Sequence, residues 1–125
     1  MIDFNNASFF KLNMVGNDVF HSHIAPILTD DEEILSSYKG IRDGVVFTTK
    51  RIIAINVQGI TGKKKDFTSM PYSKIQVYSV ETSGVFDLDS ELELWFSGVG
   101  KVKFEFTGST DVKEICRMIS AFALA

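Results

Sequence analysis

The stretch 81–95, ETSGVFDLDSELELW, decides the fold: four acids, Asp87, Asp89, Glu91 and Glu93, stand two residues apart. The even positions Phe86, Leu88, Leu92, Leu94 and, just beyond, Phe96 are apolar, interrupted only by Ser90. In an extended chain successive side chains point to opposite faces. The alternation therefore predicts a strand with one greasy flank against a core and one charged flank in water or against another subunit. Two chemical readings compete with it. An EF-hand calcium loop needs glycine at its sixth position and a bidentate glutamate at its twelfth. Counted from Asp87 those positions are Leu92 and Gly98, which excludes that motif and leaves only a looser cation site at a hairpin tip. A glycosidase-like pair needs one carboxylic acid in a pocket that raises its pKa, facing another across a substrate. Neighbours in one solvated row do not receive such different surroundings. Trp95 continues the acidic flank where water is expected. An aromatic there points to a partner, since interfaces are enriched in Trp, or to cover by a loop or the N-terminal helix.

Outward from this run the chain keeps the two-residue period. GVVFTT and RIIAINVQG, separated by a short TKR turn, are rich in β-branched residues that suit a pleated, half-buried surface. Gly59 and Gly62 in GITGKKKDF suit a hairpin loop. The strand after it carries Phe67 and Met70 and stops at Pro71; SKIQVYSVETS, ELELWF and KVKFEF follow as further strands. A weaker pattern over 34–41 gives the first strand. Seven short antiparallel strands at near-regular spacing predict a sandwich or a partly open barrel. Both ends change period. Asn17 or Asp18 offers a cap for a helix carrying Val19, Phe20, Ile24, Ile27 and Leu28, which Pro26 should end or kink. At the other end Val112, Ile115, Cys116, Ile119 and Phe122 form one helical stripe behind an Asp111/Glu114 start. The predicted organisation is an N-terminal helical extension over 1–32 and a barrel with its C-terminal helix over 33–125, a single domain overall.

Composition narrows the function. With 125 residues, 45% of them hydrophobic, the chain suffices for one core. A net charge of −3 argues against nucleic acid, which demands a basic footprint. The start MIDFNN lacks the basic residues of a secretory signal, and no stretch approaches a membrane span, so a cytoplasmic, soluble protein is predicted. Cys116 is the one cysteine and rules out an intrachain disulfide. It sits on an apolar stripe, where a thiol behaves as a small hydrophobe. His21 and His23, two apart on a helix, point to different sides and cannot share an ion. GITGK is too short for a phosphate loop and has no helix behind it. No catalytic, cofactor-binding or metal-ligating residue is predicted. The triple lysine Lys63, Lys64 and Lys65 forms a solvated hairpin tip, or else a weak contact for anionic lipid or an acidic partner.

The stretch 42–95 resembles the bacterial pleckstrin-homology-like domain family. The resemblance is carried by Arg42 and Asp43, by Phe47 through Arg51, by Gln58 and Gly59 with Thr61 through Lys64, by Pro71 through Ser73 with Ile75, and by Glu81 through Gly84 with Phe86 through Glu91. It extends more loosely to both helices. What it implies is a mainly β fold, a bent seven-stranded barrel capped by the C-terminal helix, with no catalytic residue. It also implies cyclic rings, pentamers for short members, presenting a polar surface to a protein partner. A closing ring needs two different complementary patches per copy. The candidates are the acidic flank Asp87, Asp89, Glu91 and Glu93 with Trp95, and a basic edge of Lys50, Arg51, Lys63, Lys64 and Lys65. Phosphoinositide binding does not transfer with the fold: around the first hairpin only Lys39 and Arg42 supply charge, beside Asp43.

Overall fold

The computed structural model describes residues 1–84 and 88–125, so the predicted roles of Phe86 and Asp87 lie outside the described residues. The described strands form one antiparallel run of β2 (Ile34–Lys39), β3 (Gly44–Thr48), β4 (Arg51–Gln58) and β5 (Lys64–Pro71), and a second of β6 (Ile75–Glu81), β7 (Ser90–Phe96) and β8 (Gly100–Phe106). An eighth strand, β1 (Ala7–Val15), joins them, giving the order β5-β4-β3-β2-β1-β8-β7-β6. The β1 strand pairs antiparallel with β2 and parallel with β8.

This strand corrects the expected helical extension over 1–32 and the expected all-antiparallel sheet. Its signal is hidden by a register shift between Phe9 and Leu12, where Lys11 takes a positive φ of 52°. The extra residue makes the two inward side chains, Phe9 and Leu12, three apart instead of two, so the segment carries no clean alternation. Residues 1–32 are thus part of the barrel as well as its cover. The helix predicted from Asn17 is present as α1 (Asp18–Ile24), ending in a single 3-10 turn, Ala25–Ile27, at Pro26. Asn17 does not cap it through its side chain. Its amide instead donates to the Leu35 carbonyl and accepts from the Ser37 hydroxyl, tying the helix start to β2.

Two cores result. The larger fills the barrel with Leu12, Tyr38, Val45, Phe47, Ile52, Leu92, Leu94, Phe104 and Phe106, among others, and is closed by Ile115 and Ile119 of α2 (Val112–Ala123). The smaller lies on the other face of β3 and β4, where Phe20 and Ile24 of α1 cover Val46, Ile53 and Ile55. Burial on both faces explains why VVF and IIAI read as continuous apolar runs. Gly44 permits the cover: a Cβ there would lie 2.4 Å from Cζ of Phe20. At the start of α2 the Asp111 carboxylate accepts the Glu114 N–H at 3.2 Å, the predicted cap. Phe122 of the same helix stacks on Tyr72 at 5.0 Å.

The opening stretch divides at Ser90. From there the sides are as predicted, with Leu92, Leu94 and Phe96 buried and Glu91, Glu93 and Trp95 on the outer flank. Before it they are not: Leu88, expected inside, is 71% exposed, because the strand begins only at Ser90.

Candidate interaction surface

The outer flank of β7 meets β8 in a fixed register that sets Glu93 opposite Lys103, Trp95 opposite Lys101 and Glu91 opposite Glu105. Like charges facing each other across a ladder repel. The lysines relieve this diagonally: Lys101 reaches Glu93 at 3.6 Å and Lys103 reaches Glu91 at 3.8 Å. The flank read as acidic from one strand is therefore a mixed-charge lattice across two. The KVKFEF pattern of β8 holds the signal that was missed. Lys101 also stands 4.9 Å above the Trp95 ring, a cation–π contact on a half-exposed indole. On its other side Trp95 faces Val77 of β6, itself exposed, so an apolar pair sits inside the charge lattice. Among the described residues no loop or helix seals Trp95, which stays 43% exposed. Asp89 is half-buried just before β7.

The basic candidates do not form one edge. Arg51, at the start of β4, turns inward and grips Glu32, whose side chain is fully buried. Nε donates to Glu32 Oε2 and Nη2 to Oε1, both at 2.9 Å. The remaining carboxylate capacity is filled by the Thr29 N–H at 3.1 Å and the Thr48 hydroxyl at 2.6 Å. Further guanidinium donors reach the Ile27 carbonyl and the Ser69 hydroxyl. Burial pushes the Glu32 carboxyl up, but the hydrogen bonds from Arg51, Thr48 and the Thr29 backbone outweigh it and hold the pKa at about 2. Arg51 is thus a structural clamp joining the segment before β2 to β4 and β5. The sequence TDDEE did not distinguish Glu32 from its neighbours. Lys50 remains on the surface, 3.0 Å from Asp31.

Lys63, Lys64 and Lys65 lie at the β4–β5 hairpin, whose Gly59 and Gly62 both take the positive φ expected of them. Lys63 and Lys64 are exposed, whereas Lys65 Nζ folds back on the Gly62 carbonyl at 3.2 Å. Ile60 at the tip is wholly exposed. The neighbouring β2–β3 turn is tied to it by Arg42, which donates to the Gly59 carbonyl at 2.6 Å, and it presents a second exposed isoleucine, Ile41. Among the described residues no cluster of three or more His, Cys, Asp or Glu could hold a metal ion, and no helix is long and apolar enough to cross a membrane.

The two end strands of the sheet, β5 and β6, do not pair with each other, although only the 3-10 turn Tyr72–Lys74 separates them in the chain. The barrel is consequently open along this seam. The N-terminal residues cross it: the Ile2 N–H donates to the Thr68 hydroxyl at 3.1 Å, and the Lys101 N–H donates to the Phe4 carbonyl at 2.8 Å. The Met1 ammonium pairs with Asp66. Gly100, at φ 139°, makes this strap possible, since a Cβ there would fall 2.4 Å from the Phe4 carbonyl oxygen.

Comparison with known proteins agrees with this architecture. Among curated relatives, the Bacillus subtilis protein YjqA is 43% identical over 103 residues, covering 81% of this chain and 82% of YjqA. YozO of the same organism is 34% identical over 89 residues, 71% of this chain and 76% of YozO. A pleckstrin-homology-domain protein from Shewanella loihica superposes with a TM-score of 0.79 at 41% identity, covering 90% of this chain and 97% of its own. The pleckstrin homology domain from Shewanella amazonensis gives 0.68 at 44% identity, over 89% and 90% of the two chains. The bacterial PH domain model matches residues 3–123, which takes in the bulged first strand and the last helix together, and the chain belongs to that family.

Proposed function

We propose that the protein is a non-enzymatic interaction module that closes into a homo-oligomeric ring, a pentamer being the expected size, and presents a repeated polar surface to a protein partner. The observation that carries this reading is the outer flank of β6, β7 and β8. A half-exposed Trp95 and an exposed Val77 face each other inside a lattice of glutamates and lysines. An apolar centre with a charged rim is the anatomy of a protein contact. The unpaired edges of β5 and β6 favour the same reading, because an open edge recruits another chain unless something blocks it. The candidate patches are revised accordingly. Glu91, Glu93, Trp95, Lys101 and Lys103 form one; Lys50, Lys63 and Lys64 remain as separate surface cations, while Arg51 is already engaged by Glu32. Light scattering after size exclusion tests the assembly. A mass several times 14.0 kDa at micromolar concentration is expected, and a lone 14 kDa species overturns the ring.

One observation favours a second reading, weak binding to anionic membranes multiplied by the ring. The hairpin tip sets the exposed Ile60 beside Lys63 and Lys64, an apolar residue flanked by cations. Co-sedimentation with vesicles containing phosphatidylserine at physiological salt should then fall when Lys63 and Lys64 become Ala. Wild-type protein that stays in the supernatant ends that reading.

A further inference from the structure

The open seam leaves a cavity of about 370 Å³ between the end of β5 and the β7–β8 turn, away from the outer flank and the lysine tip. Its size falls within the roughly 300–1,000 Å³ common to small-ligand sites. Core side chains make the floor: Phe4, Met70 and Phe96 are all buried residues whose edges reach the opening, and Val99 stands at its lip. The rim is different. Ser69, Ser97 and Lys74 bring two hydroxyls and an ammonium to the mouth, and Lys74 has no ion-pair partner among the described residues. The nearby Asp66 carboxylate is committed to the Met1 ammonium and the Thr68 hydroxyl. One wall is the N-terminal strap, through Met1 and Phe4, which lies close against Gly100.

We infer that this cavity binds a medium-chain fatty acid, its acyl chain on Phe4, Met70 and Phe96 and its carboxylate at Lys74. The chemistry selects this ligand class. The floor is apolar, and the one buried polar side chain in the lining, Thr68, has its hydroxyl committed, accepting from the Ile2 N–H and donating to Asp66. The site therefore offers little to a sugar or a nucleobase, which would lose hydrogen bonds to water there. Lys74 is the one cationic side chain in the lining, the Met1 ammonium beside it is paired with Asp66, and no arginine fork joins them, which matches a monoanionic carboxylate better than a phosphate. The inference is independent of the ring and of the membrane reading.

The test is calorimetric titration of the full chain with decanoate below its micelle concentration, with amide resonances followed in parallel. Saturable binding of one decanoate per protomer is expected, with shifts concentrated around Phe4, Met70 and Phe96. Lys74→Gln should weaken decanoate about threefold to fivefold, the range of a solvent-exposed ion pair, and leave decanol unaffected. Ser97→Trp, at an exposed lip position, should abolish binding of both while keeping the wild-type circular dichroism spectrum. Absence of saturable binding, shifts centred elsewhere, equal affinity for decanol and decanoate, or wild-type affinity in Ser97→Trp would each overturn the assignment.

Discussion

Glu32 shows how one residue can be decisive and still be invisible in its sequence. It stands in a row of acids, TDDEE, yet it alone is enclosed, with each carboxylate oxygen accepting two hydrogen bonds. Removing one partner of a buried pair leaves the other unsatisfied. Glu32→Ala is therefore expected to destabilise the fold by about 3 kcal/mol, read as a lower urea midpoint at unchanged slope. Glu32→Leu combined with Arg51→Met, which removes both charges, should recover much of that loss. The same site sets an acid limit. Because the folded-state pKa of about 2 lies below the ordinary 4.5, the ionised form is favoured by folding. Its contribution is fully present above about pH 4.5 and is lost as pH falls toward 2. Wild type and Glu32→Gln should accordingly differ in stability at neutral pH and converge near pH 2; a constant difference across that range would show that the carboxylate does not titrate as described. Asp31 is lowered too, chiefly by the hydrogen bond from Lys50, but it is fully exposed and its pair is screened. Sequence reading could find that acids and cations were present here. It could not choose Glu32 over Asp31, because the choice depends on which side chain the turn before β2 directs inward.

At the scale of elements, legibility followed regularity. The strands β7 and β8 keep the two-residue period, β3 and β4 stand out as runs of β-branched residues, and α2 keeps the helical period, so their pattern names them. The β1 strand breaks the period at Lys11 and was lost to the helix that follows it. That helix in turn depends on a feature without any hydrophobic signal, Gly44. Its hydrogen faces the Phe20 ring, and a methyl group there would sit 2.4 Å from Cζ and 3.0 Å from the Tyr38 carbonyl oxygen. Overpacking of this kind costs typically about 1–3 kcal/mol. Gly44→Ala should lower stability by that amount and raise hydrogen exchange across α1, whereas Phe20→Leu in the Gly44→Ala background should cost less than it does in wild type. Strictly additive losses would mean that the glycine serves some purpose other than seating the helix. The cap of α2 gives a smaller, separate case. Asp111→Ala removes the acceptor of the Glu114 N–H and should cost about 1 kcal/mol.

For the whole molecule, the surface was harder to read than the core because it is made between strands. Glu91 and Glu93 looked like one side of an acidic patch until the register placed Lys101 and Lys103 across from them. What a single strand did disclose was Trp95, out of place on a charged flank, and it is still uncovered in the protomer. Its fate separates a ring from a monomer without reference to mass. If copies associate through this flank, folding and assembly are linked, and the unfolding temperature must rise with protein concentration. For Trp95→Ser the ion pairs beside it remain, and the lost cation–π contact is an exposed one of about 0.5–1 kcal/mol. The protomer should thus unfold close to wild type in dilute solution. At a hundredfold higher concentration the wild type should melt several degrees above the variant, whose own melting temperature should hardly move. Equal concentration dependence in both proteins would remove Trp95 from the interface, and none in either would remove the assembly itself.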